Sequence, residues 1–177
     1  MTGRIGKENQ AFKYIMNNFN HERLSGIIHA VRFSRELFRD AILHAHQREA
    51  FGKTLIHNQV VRYKLANMSR RIEATQGWLY DLVYQIKMMP KEQQLLRLGG
   101  PTALLKAQAT KLFEFCAREA SQIFGGLSYT RTGKAERVER LYRDVRVWAI
   151  GGGSEEVMLD LGIRQQIKIA QLMGAKL

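Results

Sequence analysis

The chain has 177 residues, 45% of them hydrophobic and 25% charged, which suits one globular domain with room for a core. Its 28 basic residues outnumber 16 acidic ones, giving a net charge of +12 that favours anionic partners such as phosphate-rich cofactors or nucleic acid. A single cysteine excludes an internal disulfide, no apolar stretch is long enough for a membrane helix, and the N-terminus has no apolar signal region.

Residues 1–19 are mixed and glycine-containing and read as a lead-in segment; residues 20–177 read as the domain. Asn20 is predicted to cap a helix running to about Gln47, with Leu24, Ile27, Ile28, Val31, Phe38 and Ile42 as its apolar stripe. The segment Arg48-Glu49-Ala50-Phe51-Gly52-Lys53-Thr54 interrupts the helical pattern. A second helix is predicted from about His57 to Met88. Its seam of Val61, Leu65, Met68, Ile72, Thr75, Leu79, Leu82 and Ile86 alternates steps of four and three, as an antiparallel bundle requires. Residues 89–100 read as a polar, glycine-bearing connection, with Pro101 as the first residue of a third helix. That helix carries Leu105, Ala109, Leu112, Cys116, Ala120 and Ile123 on one face and ends at Gly125-Gly126. Cys116 thus reads as a small core residue. A helix over about Lys134–Ala149 and one over about Ser154–Met173 follow, the last with Ser154 as N-cap and Glu155 and Glu156 in its first turn. No strand is predicted. The expected fold is all-α, an up-and-down bundle of four or five helices.

The basic residues are spread along the helices and no nucleic-acid motif accompanies them, so charge alone supports a nucleic-acid reading. Four of the five histidines lie on or beside the first helix, and none pairs with Cys or a carboxylate at a spacing backed by a second pair; no metal site is expected.

The most informative residues are glycine breaks and their neighbours. Gln122-Ile123-Phe124-Gly125-Gly126 is followed by Tyr129, then Arg143-Asp144-Val145-Arg146, then Gly151-Gly152-Gly153-Ser154-Glu155-Glu156-Val157. Glycines let backbone approach a ligand, and a helix N-terminus offers free N–H groups to phosphate. Together with Asn20-His21-Glu22-Arg23-Leu24 and Arg48 to Lys53 followed by Gln59, these pieces, in this order and spacing, resemble the C-terminal helical domain of the acyl-CoA dehydrogenases. The resemblance runs from about Ile5 to about Met173. It implies FAD as cofactor, an acyl-CoA thioester as substrate, and a homo-oligomer, a dimer of dimers, that shares FAD across subunits. It places Arg48, Phe51 and Gln59 against the FAD of a neighbouring subunit. It also places Gln122, Ile123, Phe124, Gly125 and Gly126 at the nucleotide across the subunit interface, and Ser154, Glu155 and Glu156 around it.

The family's reaction takes a proton from the α-carbon of the thioester while a hydride leaves the β-carbon, giving the trans-2-enoyl-CoA. Many members place the catalytic glutamate where this chain has Gly152, which cannot be a base. The isovaleryl- and long-chain-type enzymes instead carry it in a Glu-Arg-Leu sequence on the domain's first helix. Glu22-Arg23-Leu24 matches that sequence, so the resemblance implies Glu22 as base, Arg23 as a substrate-pocket residue, and Gly152 and Gly153 as N–H donors to the thioester carbonyl. An acidic residue in a first helical turn is also stabilising for dipole reasons alone. The family's N-terminal helical and middle β domains are not among these residues, so the chain by itself is expected to bind FAD weakly or not at all. The competing reading is a non-catalytic helical oligomerisation module or a degenerate paralogue. Ala175-Lys176-Leu177 resembles a peroxisomal Ser-Lys-Leu address, which makes a peroxisomal location the expectation over a mitochondrial one.

Overall fold

The computed structural model describes residue 3 and residues 6–174; the tripeptide Ala175-Lys176-Leu177 lies outside the described residues. Five α-helices form an up-and-down bundle: α1 (Ala11–Gln47), α2 (Gln59–Met88), α3 (Lys91–Phe124), α4 (Glu136–Ile150) and α5 (Glu155–Leu172). Helix α3 is the axis of the fold and packs against each of the other four. The main core lies between α1, α2, α3 and α4 and includes Ile27, Leu37, Met68, Ile72, Leu105, Phe113 and Val138, all essentially inaccessible. A smaller cluster of Ala103, Ala107 and Met158 joins α3 to α5. The predicted seams of α2 and α3 face inward as expected, because steps of three and four keep one face of a helix toward its partner.

Several expectations need correction. Helix α1 begins at Ala11, nine residues before Asn20, so nine of the nineteen residues of the supposed lead-in segment are helical. Asn20 does not cap it; its Oδ1 accepts from Nη1 of Arg23 at 3.2 Å, inside the helix. Nothing from Ala11 to Asn20 is Gly or Pro, so no local signal stops the helix from extending backwards. Ile28, placed on the apolar stripe, is exposed, whereas Ile27 and Val31 are buried. The cap that does form is Asn58, whose Oδ1 accepts from the Val60 N–H at 2.9 Å at the start of α2.

Residues 91–100 are not a connection. Helix α3 starts at Lys91, behind Pro90, and runs through Gly99, Gly100 and Pro101. A proline in a helix interior removes a hydrogen bond and crowds the preceding turn, at a cost of about 3 kcal/mol. Burial against α5 outweighs it here. Leu98, Gly99 and Gly100 are buried, and a Cβ on Gly100 would lie 3.1 Å from the carbonyl oxygen of Gly162 on α5. The two glycines are therefore the contact surface of a close helix crossing, rather than a break.

No strand was expected, yet β1 (Glu49–Ala50) and β2 (Lys53–Thr54) form a two-rung antiparallel ladder, with Glu49 opposite Thr54 and Ala50 opposite Lys53. The turn between them has Phe51 at φ 54° and Gly52 at φ 76°, the left-handed pair that tight hairpins use. Two residues per strand are too few to display alternation in sequence. Cys116 is in the core, where burial pushes its thiol up to about 12, so it carries no thiolate at neutral pH.

Candidate functional site

Two groups of residues singled out by the sequence lie at opposite ends of the bundle. At one end, Glu22, Arg23, Ser25 and Gly26 of α1, Val147 and Trp148 of α4, Lys106 of α3 and the glycines 151 and 152 line one cavity of about 200 Å³. Glu22 is exposed, and its Oε1 accepts from Nδ2 of Asn18, one helical turn back, at 2.9 Å. Since α1 starts at Ala11, Glu22 is well inside the helix, and the first-turn dipole explanation of its placement no longer applies. Arg23 is buried. Its Nε donates to the carbonyl oxygen of Gly152 at 3.1 Å, and its guanidinium lies 5.6 Å from the ring centre of Phe19. Burial pulls the Arg23 pKa down, with Glu22 beside it acting in the opposite direction.

The loop from Gly151 to Ser154 crosses between α4 and α5. Gly152 has φ 72° and Gly153 φ 120°, conformations that other residues adopt only under strain. A Cβ on Gly153 would also collide with the side chain of Met158. The Gly153 N–H donates to the Ile150 carbonyl at 3.2 Å and is therefore engaged, whereas no backbone carbonyl among the described residues takes the Gly152 N–H. Ser154 has the extended backbone of an N-cap, φ −63° and ψ 163°, without a hydroxyl bond to the first-turn N–H groups. The Glu156 carboxyl is held below its usual value by its own N–H first and the Ser154 hydroxyl second. Glu155 has Oε2 3.5 Å from Nζ of Lys111, while its buried Oε1 has no hydrogen-bond partner among the described residues.

Sequence reasoning missed two residues of this end. Lys106 is 1% exposed, and Trp148 forms a wall of the cavity, stacked on His29 with centroids 4.8 Å apart and edge-on to Phe33 at 5.7 Å. The signal for Lys106 was available. It shares a helix face with Thr102, Ala103, Thr110 and Phe113, at three-, four- and seven-residue spacings where a solvated charge does not belong.

At the other end, the α1 terminus, the β1–β2 hairpin and the α3 terminus meet. The ring of buried His44 stacks on Phe124 at 4.1 Å, tying the last turn of α1 to the last residue of α3. Burial lowers the His44 pKa first, and the charges of Arg48 and Lys134 lower it further. Arg48 and Gln59 are exposed, and Phe51 at the hairpin tip is 99% exposed in a left-handed conformation. Ile123 and Phe124 turn their side chains into the core and offer only backbone. Gly125, at φ 60°, and Gly126 lie open: a Cβ on either would meet nothing within 4 Å. Beside them a cavity of about 660 Å³ is lined by Gln122, Gly125, Tyr129, Tyr142 and Arg143 among others.

The separation of the two ends follows from α1 itself. From position 22 to its end at Gln47 the helix rises roughly 38 Å, at about 1.5 Å per residue. One extended dinucleotide cannot touch both ends of one chain.

The sequence model described as "Acyl-CoA dehydrogenase, C-terminal domain" matches residues 9–167. The chain belongs to the acyl-CoA dehydrogenase family. It is 42% identical to acyl-CoA dehydrogenase apdG of Emericella nidulans over 98% of this chain and 40% of the relative. It is 32% identical to the mitochondrial long-chain specific acyl-CoA dehydrogenase of Mus musculus, over 91% of this chain and 35% of that one. A probable acyl-CoA dehydrogenase from Mycobacterium abscessus superposes with a TM-score of 0.82 at 29% identity, covering 92% of this chain and 41% of the other. The chain thus corresponds to the C-terminal helical domain of acyl-CoA dehydrogenases and spans about 40% of the length of these relatives.

Proposed function

We propose that this domain completes an FAD-dependent acyl-CoA dehydrogenase, which removes the α-proton of an acyl-CoA thioester with Glu22 and yields the trans-2-enoyl-CoA. The observation that carries the reading is the shared cavity of Glu22, Arg23 and the glycine loop, built from α1, α3 and α4 at the positions the family resemblance singles out. Among the described residues, Glu22 is the one acidic residue lining it. Bound FAD supplies the hydride acceptor for the β-carbon. The Glu22 carboxylate takes the α-proton. The free Gly152 N–H donates to the thioester oxygen, where negative charge develops. Gly153, with its N–H already on Ile150, serves through its backbone shape instead. Arg23 lines the cavity as a substrate-pocket residue and holds the loop by its bond to the Gly152 carbonyl.

The residues at the far end fit a flavin nucleotide. Arg48 is an exposed guanidinium able to fork onto a pyrophosphate, and the open glycine pair 125–126 leaves room for close approach beside Gln122. Because this end lies roughly 38 Å along α1 from Glu22, it serves the cofactor of a second copy, while Ser154, Glu155 and Glu156 serve the chain's own. The exposed apolar Phe51, Val60 and Tyr63 beside Arg48 support burial against such a copy in a homo-oligomer, read as a dimer of dimers. The test is anaerobic addition of acyl-CoA to the complete flavoenzyme, with loss of the flavin's visible absorbance as the expected outcome. A flavin that stays oxidised with every acyl length tried would favour the non-catalytic module.

Relatives include mitochondrial and bacterial proteins. Where the natural polypeptide ends at Leu177, Ala175-Lys176-Leu177 supports a peroxisomal location. A fluorescent protein ending in these residues is expected to become punctate in cells, and a diffuse signal would overturn the assignment.

A further inference from the structure

Lysine almost never lies in a protein interior unless its ammonium is fully partnered. Lys106 is among the largest fully buried side chains of this chain, at 1% exposure. Its Nζ donates to the Ala149 carbonyl at 2.8 Å and to the Gly153 carbonyl at 2.5 Å. The first is one of the last carbonyls of α4, where the helix dipole favours a cation; the second belongs to the glycine loop. A single ammonium thus joins the middle of α3 to the end of α4 and to the chain just before α5. Arg23 does the same from α1 to the neighbouring Gly152 carbonyl. Two successive loop carbonyls are therefore turned onto buried cations.

The peptide plane makes this consequential. In a trans peptide the C=O of one residue and the N–H of the next point in opposite directions, and the described chain has no cis bond. Holding the Gly153 carbonyl inward on Lys106 turns the Ser154 N–H outward, away from the core, and no backbone carbonyl among the described residues takes it. We infer that Lys106 is a positioning residue: its ammonium sets the orientation of the Gly151–Ser154 backbone, and with it the direction in which the loop's unpaired N–H groups face. The benefit to turnover rests on the function proposed above; the order of the loop does not.

The charged groups facing Lys106 are Arg23 from α1 and Glu155 from α5, the latter also reached by Lys111 of α3; α4 offers the Ala149 carbonyl. Burial pulls the Lys106 pKa below its usual value, Glu155 raises it and Arg23 lowers it.

The test is amide hydrogen exchange on the full 177-residue chain, without flavin, comparing Lys106→Met with the wild type. The Gly151 and Gly153 amides, bonded to Val147 and Ile150, are expected to exchange at least about tenfold faster, while amides between Leu65 and Leu82 in α2 keep their protection. Wild-type rates in the loop would overturn the inference. If the variant loses protection everywhere, Lys106→Gln decides: its shorter, uncharged amide cannot bridge the Ala149 and Gly153 carbonyls, so the loop amides should exchange faster while α2 keeps its protection. Wild-type loop rates in that variant, or loop protection lost only together with that of α2, would equally overturn the inference. Because no cofactor or substrate enters, failure of the flavoenzyme reading leaves this measurement untouched.

Discussion

Glu22→Gln in the complete flavoenzyme is expected to lower kcat by about 10²–10⁴-fold, the range a positioned general base contributes, while flavin content and assembly stay at wild-type levels. The amide is nearly isosteric with the carboxylate and can still receive the Asn18 contact through its carbonyl oxygen. Since Glu22 is exposed at the cavity mouth and pairs with no cation among the described residues, the substitution removes proton-accepting capacity without leaving a buried charge unpaired. The flavin should still bind and should no longer bleach rapidly when acyl-CoA is added without oxygen. A variant that turned over within about twofold of wild type would remove Glu22 from the role of base. One that lost its flavin would instead mark Glu22 as a structural or cofactor-binding group.

The second large effect is on stability. Phe113→Ala should cost about 3–5 kcal/mol, the range for truncating a fully buried aromatic, read as a lowered denaturant midpoint with an unchanged slope. Phe113 is completely inaccessible on α3, and its ring lies 5.5 Å from that of Phe33 on α1. Phe33 in turn packs edge-on against Trp148, which is stacked on His29. The chain of rings therefore leads from the centre of the core to the wall of the cavity holding Glu22. Loss of Phe113 should also change the fluorescence of Trp148, distinguishable from that of Trp78 by comparison with a Trp78→Phe background. A cost below about 1 kcal/mol would mean the space is refilled by neighbours.

The helices with clear period and clear stops were legible from sequence. The α2 seam, the Gly125 stop of α3 and the start of α5 behind Ser154 rest on local chemistry that tertiary contacts leave in place. The errors came where tertiary packing overrode local signals. Asn20 is a good cap in isolation and sits mid-helix. Gly99-Gly100-Pro101 is a breaker in isolation, yet becomes a helix crossing once Gly162 of α5 lies against it. The candidate site was legible as a set of residues, because the motifs name them, but not as a geometry. Sequence could not reveal that Gly153 spends its N–H on Ile150, that Ile123 and Phe124 face the core, or that Lys106 lies beneath the loop. Each depends on contacts between residues far apart in the chain.

The length of α1 has a genetic consequence. In the shared-cofactor reading, each chain gives its Glu22 end to one catalytic centre and its Arg48 end to another, so no centre is the product of a single gene copy. Two alleles, one defective at Glu22 and one at Arg48, would each be inactive alone. Co-expressed, they should form mixed assemblies in which some centres receive both intact halves, and partial activity should return. Two alleles damaged at the same end, Glu22 and Gly152 for instance, should show no such complementation. In that reading, the roughly 38 Å of helix between the two ends sorts inactivating alleles of this domain into two groups expected to rescue each other across the line and not within it.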